Sequence, residues 1–132
     1  MKALDTNVLV RYLVQDDPKQ SAQATHFIEK HCTDESPCLI GHISLCELAW
    51  VLESNYQQGR EEIAGVIEQL LQVGQLEIMD AQVVWRALND YKQSNADFPD
   101  HLLARVNEHA GCKVTVTFDK KAAKHPGFEL LK

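Results

Sequence analysis

The sequence has no apolar run that approaches the roughly 20 residues needed to cross a bilayer. It also shows no signal-peptide pattern, because Asp5 interrupts the first apolar run before a hydrophobic segment could form. With 45% hydrophobic and 24% charged residues, the composition is that of a soluble globular protein. From these features we expect a cytoplasmic protein with no membrane partner.

Cysteine pairs at metal-site spacing are also missing. Cys32, Cys38, Cys46 and Cys112 form no C-x-x-C pair, and no histidine stands at the close spacing of a tetrahedral zinc site. The sequence therefore predicts unpaired thiols in a reducing compartment.

Positive charge is scarce as well. The chain has 13 Lys and Arg against 19 Asp and Glu, a net charge of −6. This balance disfavours a broadly basic surface for nucleic acid, since counterion release requires clustered cations. It leaves room only for a local basic patch.

What is present fits one domain over residues 1–132, without a repeat, a low-complexity tract or a linker. Short apolar runs alternate with segments of helical periodicity. The strands are predicted just before Asp5 and at 38–40, 76–79, 114–117 and 128–131, and the helices at 8–14, 17–31, 44–56, 60–73, 80–94 and 97–110, with one helical turn at 119–124. This alternation predicts an α/β fold, a three-layer sandwich with a central parallel sheet of about four to five strands flanked by helices.

Five acids stand where a strand ends or a helix begins: Asp5, Glu47, Asp97, Asp100 and Asp119. Helix capping is the simplest explanation for four of them. Ser44 and Glu47 have the spacing of a capping box, Asp97 could cap with Asp100 at the third helical position, and Asp119 could cap a short helix. Capping does not explain Asp5, which has apolar residues on both sides.

Taken together, the acids point to a metal site. In a parallel sheet their positions converge on one rim, and the carboxylates would repel one another unless a divalent cation lay among them. Glu47, between Ile43, Trp50 and Val51 on its helix, is expected to be partly desolvated and to need a cation. Oxygen ligands without a His or Cys cluster favour Mg²⁺ or Mn²⁺, which suits phosphodiester hydrolysis by a metal-activated water.

Polar and basic residues near these acids are candidates for supporting roles. Thr6, Asn7, Ser44 and Thr117 are expected to orient ligands, water or Asp5 by hydrogen bonding. Lys120, Lys121, Lys124 and Arg11 are the candidates for RNA phosphates, although a solvated charged face is an equally good interpretation of the lysines. His101 is expected on the surface, and Trp50 and Trp85 in the core or an interface.

The acidic motifs, in this order, resemble those of PIN domains and, more narrowly, of VapC-type toxins from bacterial toxin–antitoxin pairs. The motifs are Asp5-Thr6-Asn7-Val8-Leu9, Ile43-Ser44-x-x-Glu47, Ala96-Asp97-Phe98-Pro99-Asp100-x-Leu102-Leu103-Ala104 and Thr117-Phe118-Asp119-Lys120. By this resemblance Asp5, Glu47 and Asp100 match the central acids, Asp119 a more variable fourth and Asp97 a frequent extra one. Pro99 departs from the pattern but suits the first turn of a helix.

The resemblance implies a metal-dependent ribonuclease that cuts RNA in single-stranded or loop regions. It further implies a homodimer and a small antitoxin, which would dock against the helices that begin near Ser44 and Arg60, with Trp50, Leu52 and Tyr56. Two alternatives remain open. One is a phosphatase of the haloacid-dehalogenase type with Asp5 as covalent nucleophile, although Asn7 replaces the usual second acid. The other is a non-catalytic PIN-like interaction module whose acids are only caps.

Overall fold

The structure is a computed structural model that describes all 132 residues and contains six α-helices and four three-residue strands. In chain order the elements are α1 (Thr6–Val14), α2 (Pro18–His31), β1 (Cys38–Ile40), α3 (His42–Ser54), α4 (Arg60–Gln72), β2 (Leu76–Ile78), α5 (Ala81–Lys92), α6 (Phe98–His109), β3 (Thr115–Thr117), a 3₁₀ turn (Ala122–Lys124) and β4 (Phe128–Leu130). Every predicted helix is present, with ends that shift by two residues or fewer except at Asp119, where the single turn begins later.

The strands do not form the single sheet of four to five strands that the sequence predicts. β1 pairs with β2 and β3 pairs with β4, both in parallel, as two separate ladders. The expected first strand is reduced to one bridge between Ala3 and Leu39, with Leu4 N donating to Leu39 O at 2.9 Å. α1 begins at Thr6, so the first strand cannot continue beyond Leu4. The α/β class and the parallel pairing are confirmed.

A single large apolar core joins α1, α3, α4 and α5 to the β1–β2 pair. Leu9, Ile40, Leu45, Leu52 and Val84 are all at most 1% exposed and lie within it. Burial of these side chains is the main favourable term that holds the elements in place, at about 25 cal/mol per Å² of apolar surface. The core therefore holds α1 and α3 in place, and these two helices carry part of the candidate site.

No helix of the structure combines the length and the apolar character that a membrane crossing requires.

Cys32 and Cys38 form a disulfide, so the prediction that all the cysteines are unpaired is wrong. α2 ends beside the start of β1, and the short polar loop between them brings the two Cα atoms to 5.3 Å, a normal disulfide separation. Cys46 and Cys112 are free thiols. The cysteine argument for a reducing compartment therefore no longer holds.

The helix termini confirm some of the predicted caps. Asp17 caps α2, its Oδ1 accepting from Gln20 N at 3.1 Å, with Pro18 at the first helical position. Gly111, at φ 104°, follows α6 in the left-handed region that favours glycine, as predicted. Asp80 precedes α5 but its side chain makes no capping hydrogen bond.

Candidate active site

The start of α1 links two of the predicted acids. Asp5 is the N-cap of this helix, and its Oδ1 accepts a hydrogen bond from Thr6 N at 2.7 Å. The buried Thr6 hydroxyl donates to Glu47 Oε1 at 2.8 Å, across 41 residues of sequence. Thr6 thus connects the Asp5 turn to the Glu47 carboxylate on α3.

α3 begins at His42, two residues earlier than predicted, so Ser44 lies inside the helix. Gly41 is the N-cap, and the predicted Ser44–Glu47 capping box is wrong. The Ser44 hydroxyl instead donates to Leu4 O at 3.4 Å, which ties α3 to the segment before Asp5. This early start turns Glu47 towards α1.

Glu47 is exposed, contrary to the expected desolvation. The expectation failed because Ile43 and Trp50, its neighbours at helical spacing, are themselves 78% and 54% exposed. An exposed carboxylate can accept ligands from solvent without a large desolvation cost. Asn7 is also exposed at the start of α1, close in sequence to Asp5.

Asp100 lies in the first turn of α6 and is half-buried. Burial raises the pKa of its carboxyl above the ordinary value, and the charges of Asp97 and Asp119 raise it further. The Asp97 backbone and the charge of Lys121 act in the opposite direction. The carboxylates of Asp97 and Asp119 therefore lie near enough to Asp100 to disfavour its charged form.

Cys46 directly precedes Glu47 on α3 and lies within range of the Asp100 charge. Burial, followed by the charges of Asp100 and Glu47, raises the pKa of its thiol to about 11. One acid on α6 and one acid on α3 therefore both disfavour the thiolate form of Cys46. Two local links join acids from four separate parts of the chain: Thr6 connects Asp5 to Glu47, and the charges of Asp97 and Asp119 act on Asp100.

The capping expectation is met for Asp119 and fails for Asp5 and Asp97. Asp5 caps α1 with its side chain, whereas Asp97 is the N-cap of α6 without a side-chain capping bond. Asp119 does hold its turn, its Oδ1 accepting from Lys121 N at 2.8 Å and from Ala122 N at 3.3 Å. Thr117 supports it, because its hydroxyl accepts from Asp119 N at 3.0 Å. Glu47, Asp97 and Asp100 are therefore the acids whose carboxylates no helix cap explains.

The PIN domain family model matches residues 2–127, nearly the whole chain. The chain belongs to the PIN domain family. No curated protein and no solved structure is similar enough to count as a match. PIN domains are generally metal-dependent nucleases, so the match supports nuclease chemistry over the phosphatase alternative.

The acid set of this PIN domain suits a hard divalent cation by its chemistry. All five donors are carboxylates, the ligands that Mg²⁺ and Mn²⁺ prefer over softer side chains. No three of them place ligand atoms within 4.8 Å of one another in the structure. Asp5, Glu47 and Asp100 are the acids that would hold a cation between α1, α3 and α6, with Asp97 and Asp119 beside them.

A second cluster in this PIN domain escaped the sequence prediction. Asp90, His101 and His125 bring one ligand atom each to within 4.8 Å of one another. The predicted surface position of His101 is wrong, because its side chain is fully buried and α6 turns it towards α5 with Phe98 and Leu102. Sequence spacing does not reveal this cluster, because its three residues belong to separate segments of the chain.

Arg105 already neutralises this second cluster. It donates to Asp90 through Nε at 2.6 Å and through Nη2 at 3.0 Å. The Gly127 N–H donates to His125 Nδ1 at 3.1 Å, and Ser94 hydrogen-bonds to Nε2 of His101. Burial lowers the pKa of His101 to about 4, so the ring is neutral. The cluster is therefore a packed network between α5 and α6 whose carboxylate already has a cation.

The predicted RNA-binding cations occupy two different surfaces of the PIN domain. Lys120, Lys121 and Lys124 line one cleft beside Asp119. Arg11 lies on α1 and is bound to Gln20 and Asp16, at 2.8 and 3.3 Å. The lysines and Arg11 therefore do not form one basic surface.

Trp50, Leu52 and Tyr56 do not form one exposed face either. Leu52 is 1% exposed within the core, Trp50 is 54% exposed, and the Tyr56 hydroxyl donates to Asp16 Oδ2 at 2.8 Å. Leu52 therefore faces the core and Trp50 the solvent, and Tyr56 lies beyond the end of α3. Trp85, 37% exposed, is also only partly outside the core.

Proposed function

We propose that this PIN domain is a Mg²⁺- or Mn²⁺-dependent endoribonuclease that hydrolyses RNA phosphodiester bonds with water as nucleophile. Asp5, Glu47, Asp100 and Asp119 would carry the metal-dependent chemistry, with Asp97 as a further ligand. The single observation that carries the proposal is the hydrogen bond from the Thr6 hydroxyl to Glu47, which joins the Asp5 turn of α1 to a second acid on α3. Family membership adds independent support.

The chain's own residues would hold the reacting groups in place. A divalent cation, when bound, would activate a water and stabilise the charge that develops on the phosphate. Thr6 fixes the Glu47 carboxylate through its hydroxyl, and the α1 backbone fixes Asp5. Ser44 holds the Asp5 segment against α3, and Thr117 holds the Asp119 turn. Asn7, exposed beside Asp5, would orient water or substrate.

Mutation of Asp100 tests the nuclease directly. Asp100→Asn removes one charged oxygen ligand at nearly constant size. We expect the Mn²⁺-dependent cleavage rate of a single-stranded RNA to fall roughly 100-fold, equivalent to about 3 kcal/mol of transition-state stabilisation. Glu35→Gln, in the exposed loop before β1, is the matched control. Equal rates for the wild type and Asp100→Asn would refute the proposal.

The biological role we propose is that of a cytoplasmic toxin in a toxin–antitoxin pair, held inactive by a small antitoxin and acting as a homodimer. The support is the resemblance of the acidic motifs to VapC-type toxins. Expression alone should arrest growth, and co-expression with the small protein encoded immediately upstream should relieve the arrest. Growth arrest that persists in Asp100→Asn would contradict a role that depends on RNA cleavage.

A non-catalytic interaction module remains the second candidate, because Asp5 and Asp119 do act as backbone caps. In that case RNA would not be cut with any divalent cation. The cleavage assay on the wild type distinguishes the two functions. Trapping of a phosphorylated Asp5 would instead favour the phosphatase alternative.

A further inference from the structure

A cleft of about 940 Å³ opens between α5, α6 and the segment that follows α6. This volume is at the upper end of the range for ligand sites in proteins. Its walls come from the last turn of α5, the α5–α6 turn, α6 and residues 113–127. None of its lining residues belongs to the large apolar core.

Positive charge is concentrated in this cleft although the whole chain is acidic. Arg105 is neutralised by Asp90 and by Glu108, the latter at 3.0 Å. The lysines of the cleft form no ion pair at all; they are Lys113, Lys120, Lys121 and Lys124. Four unpaired cations facing one concave surface attract a ligand that carries several negative charges.

The lining favours phosphates over bases. Ala96 and Ala104 are its only hydrophobic residues, and no Phe, Tyr or Trp contributes. Base stacking on aromatic rings is the usual source of affinity for unpaired bases, and His125 is the only aromatic ring in this lining. The wall at Arg105 is rigid, because Asp90 holds the guanidinium at two points.

Lys121 connects the cleft to the acids. It lines the cleft and also a neighbouring cavity of about 400 Å³ that includes Asp97 and Arg60. Its backbone N–H donates to Asp119 Oδ1, and its charge acts on Asp100. A polyanionic ligand that extends from the acids into the cleft would therefore contact Lys121 first and the other lysines after it.

We propose that this cleft binds the sugar–phosphate backbone of a single RNA strand beyond the phosphate that is cut, in a path from Lys121 to Lys113. Naming RNA as the ligand rests on the proposed nuclease function. A flexible strand suits a concave surface better than a stiff duplex does. Lys113 and the shape of the cleft extend the set of RNA-contacting groups beyond Lys120, Lys121 and Lys124.

Binding without cleavage tests this path. The protein carries Asp5→Asn and is kept in EDTA, and its affinity for a single-stranded RNA is measured by fluorescence anisotropy at several salt concentrations. Lys113→Glu with Lys124→Glu should raise Kd roughly tenfold and flatten the slope of log K against log salt by about 1.4, or about 0.7 for each phosphate that is no longer neutralised. The control pair is Lys19→Glu with Lys30→Glu, which makes the same charge change on α2, away from the cleft.

The outcomes separate this proposal from the nuclease proposal. We call Lys113→Glu with Lys124→Glu the cleft pair. If RNA binding weakens and the slope of log K against log salt flattens in the cleft pair but not in the control pair, the proposed RNA path is supported even if the wild type cuts no RNA. Equal effects of the two pairs overturn the path even if the wild type is an active nuclease. A single-stranded DNA of equal length should bind nearly as well, because the cleft contacts phosphates.

An acidic protein segment is the rival ligand. The affinity of a polyglutamate peptide is measured in the same way. If the cleft pair binds this peptide more weakly than the wild type does but binds RNA equally well, the RNA path is overturned in favour of a protein partner. Both lysines are exposed, so circular dichroism should show folded protein. The pair Lys113→Ala with Lys124→Ala serves as a milder version, with the same order of effects.

Discussion

At the scale of single residues, the acids differ in what their carboxylates contact. Asp5 and Asp119 accept hydrogen bonds from the backbone, so part of their role is to begin a helix or turn. Asp100 is half-buried, and Glu47 accepts from a single hydroxyl. Glu47 and Asp100 are therefore the residues whose replacement should affect chemistry more than folding.

The Thr6 hydroxyl gives a prediction in which stability and activity separate. Thr6→Val removes the hydrogen bond to Glu47 and should lower the free energy of unfolding by about 1 kcal/mol. Glu47→Gln keeps an acceptor oxygen for Thr6, so its stability should stay near the wild-type value while Mn²⁺-dependent cleavage falls. Urea unfolding and RNA cleavage on the same samples give both quantities. A Glu47→Gln protein as unstable as Thr6→Val would contradict this division.

Asp100 should destabilise the metal-free protein at neutral pH. Because its pKa is raised in the folded state, stability is full below the ordinary value of 3.8 and is lost as pH rises through the raised value. Asp100→Asn should therefore increase the melting temperature at pH 7 in EDTA, and the gain should vanish below about pH 3.8. Thermal unfolding across pH measures this, with Glu35→Gln as control. A decrease at pH 7 would show that the Asp100 carboxylate stabilises the free protein.

At the scale of elements, the position of the acids depends on how α4, α5 and α6 are joined. Arg60, the first residue of α4, donates from Nη2 to Tyr91 O and Ser94 O, both at 2.7 Å. Its guanidinium also lies 4.0 Å from the centre of the Tyr91 ring. These contacts satisfy carbonyls at the end of α5 and fix the turn that leads to Asp97.

Arg60→Lys should be costly although it preserves the charge. A lysine side chain is shorter and lacks the planar guanidinium fork, so it cannot keep the contact with the Tyr91 ring together with both carbonyl bonds. We expect a loss of about 1–2 kcal/mol in the free energy of unfolding and a lower cleavage rate. Arg86→Lys, at an exposed position of α5, should change neither quantity. Equal stability of the two variants in urea would refute the role of the fork.

The Cys32–Cys38 disulfide gives a second prediction at this scale. The bond closes a loop with a sequence separation of 6 residues between α2 and β1. Chain entropy predicts that removing it with Cys32→Ala and Cys38→Ala costs about 2 kcal/mol. A reducing agent should lower the melting temperature of the wild type and leave that of the double variant unchanged. Mass spectrometry of the oxidised protein gives an independent check on the bond.

At the scale of the whole molecule, charge is unevenly distributed. Asp5 stands at the start of α1, Asp97 and Asp100 stand at the start of α6, and unpaired lysines line the cleft beside α6, in a chain with a net charge of −6. Burial raises the pKa values of Asp100 and Cys46, and the neighbouring negative charges raise both further. A bound cation would relieve the repulsion and stabilise the folded protein.

Divalent metal should therefore raise the melting temperature. A ligand that binds only the folded state adds about 2.7 kcal/mol to the free energy of unfolding at 100 times its Kd. Mn²⁺ should stabilise the wild type and His125→Gln alike but not Asp100→Asn. A shift that disappears in His125→Gln instead would place the cation in the Asp90–His101–His125 cluster. No shift in the wild type would favour the non-catalytic module.

Local patterns in the sequence determined the helices, the short strands and the identity of the candidate acids. Proline after Asp17, glycine after α6 and the apolar periodicity of each helix act over a few residues, so they can be interpreted without the fold. The family resemblance also depended on local motifs, and the match over residues 2–127 agrees with it.

Only the tertiary structure decided what those local patterns could not express. The length of each strand depends on partners elsewhere in the chain, which is why one sheet became two short ladders. The burial of His101, the exposure of Glu47 and the Cys32–Cys38 bond depend on which faces of α2, α3 and α6 pack inward. The distribution of charge also depends on the fold. Packing between residues 90 and 127 brings the lysines of the cleft together, and the net charge of the sequence gives no sign of this basic surface.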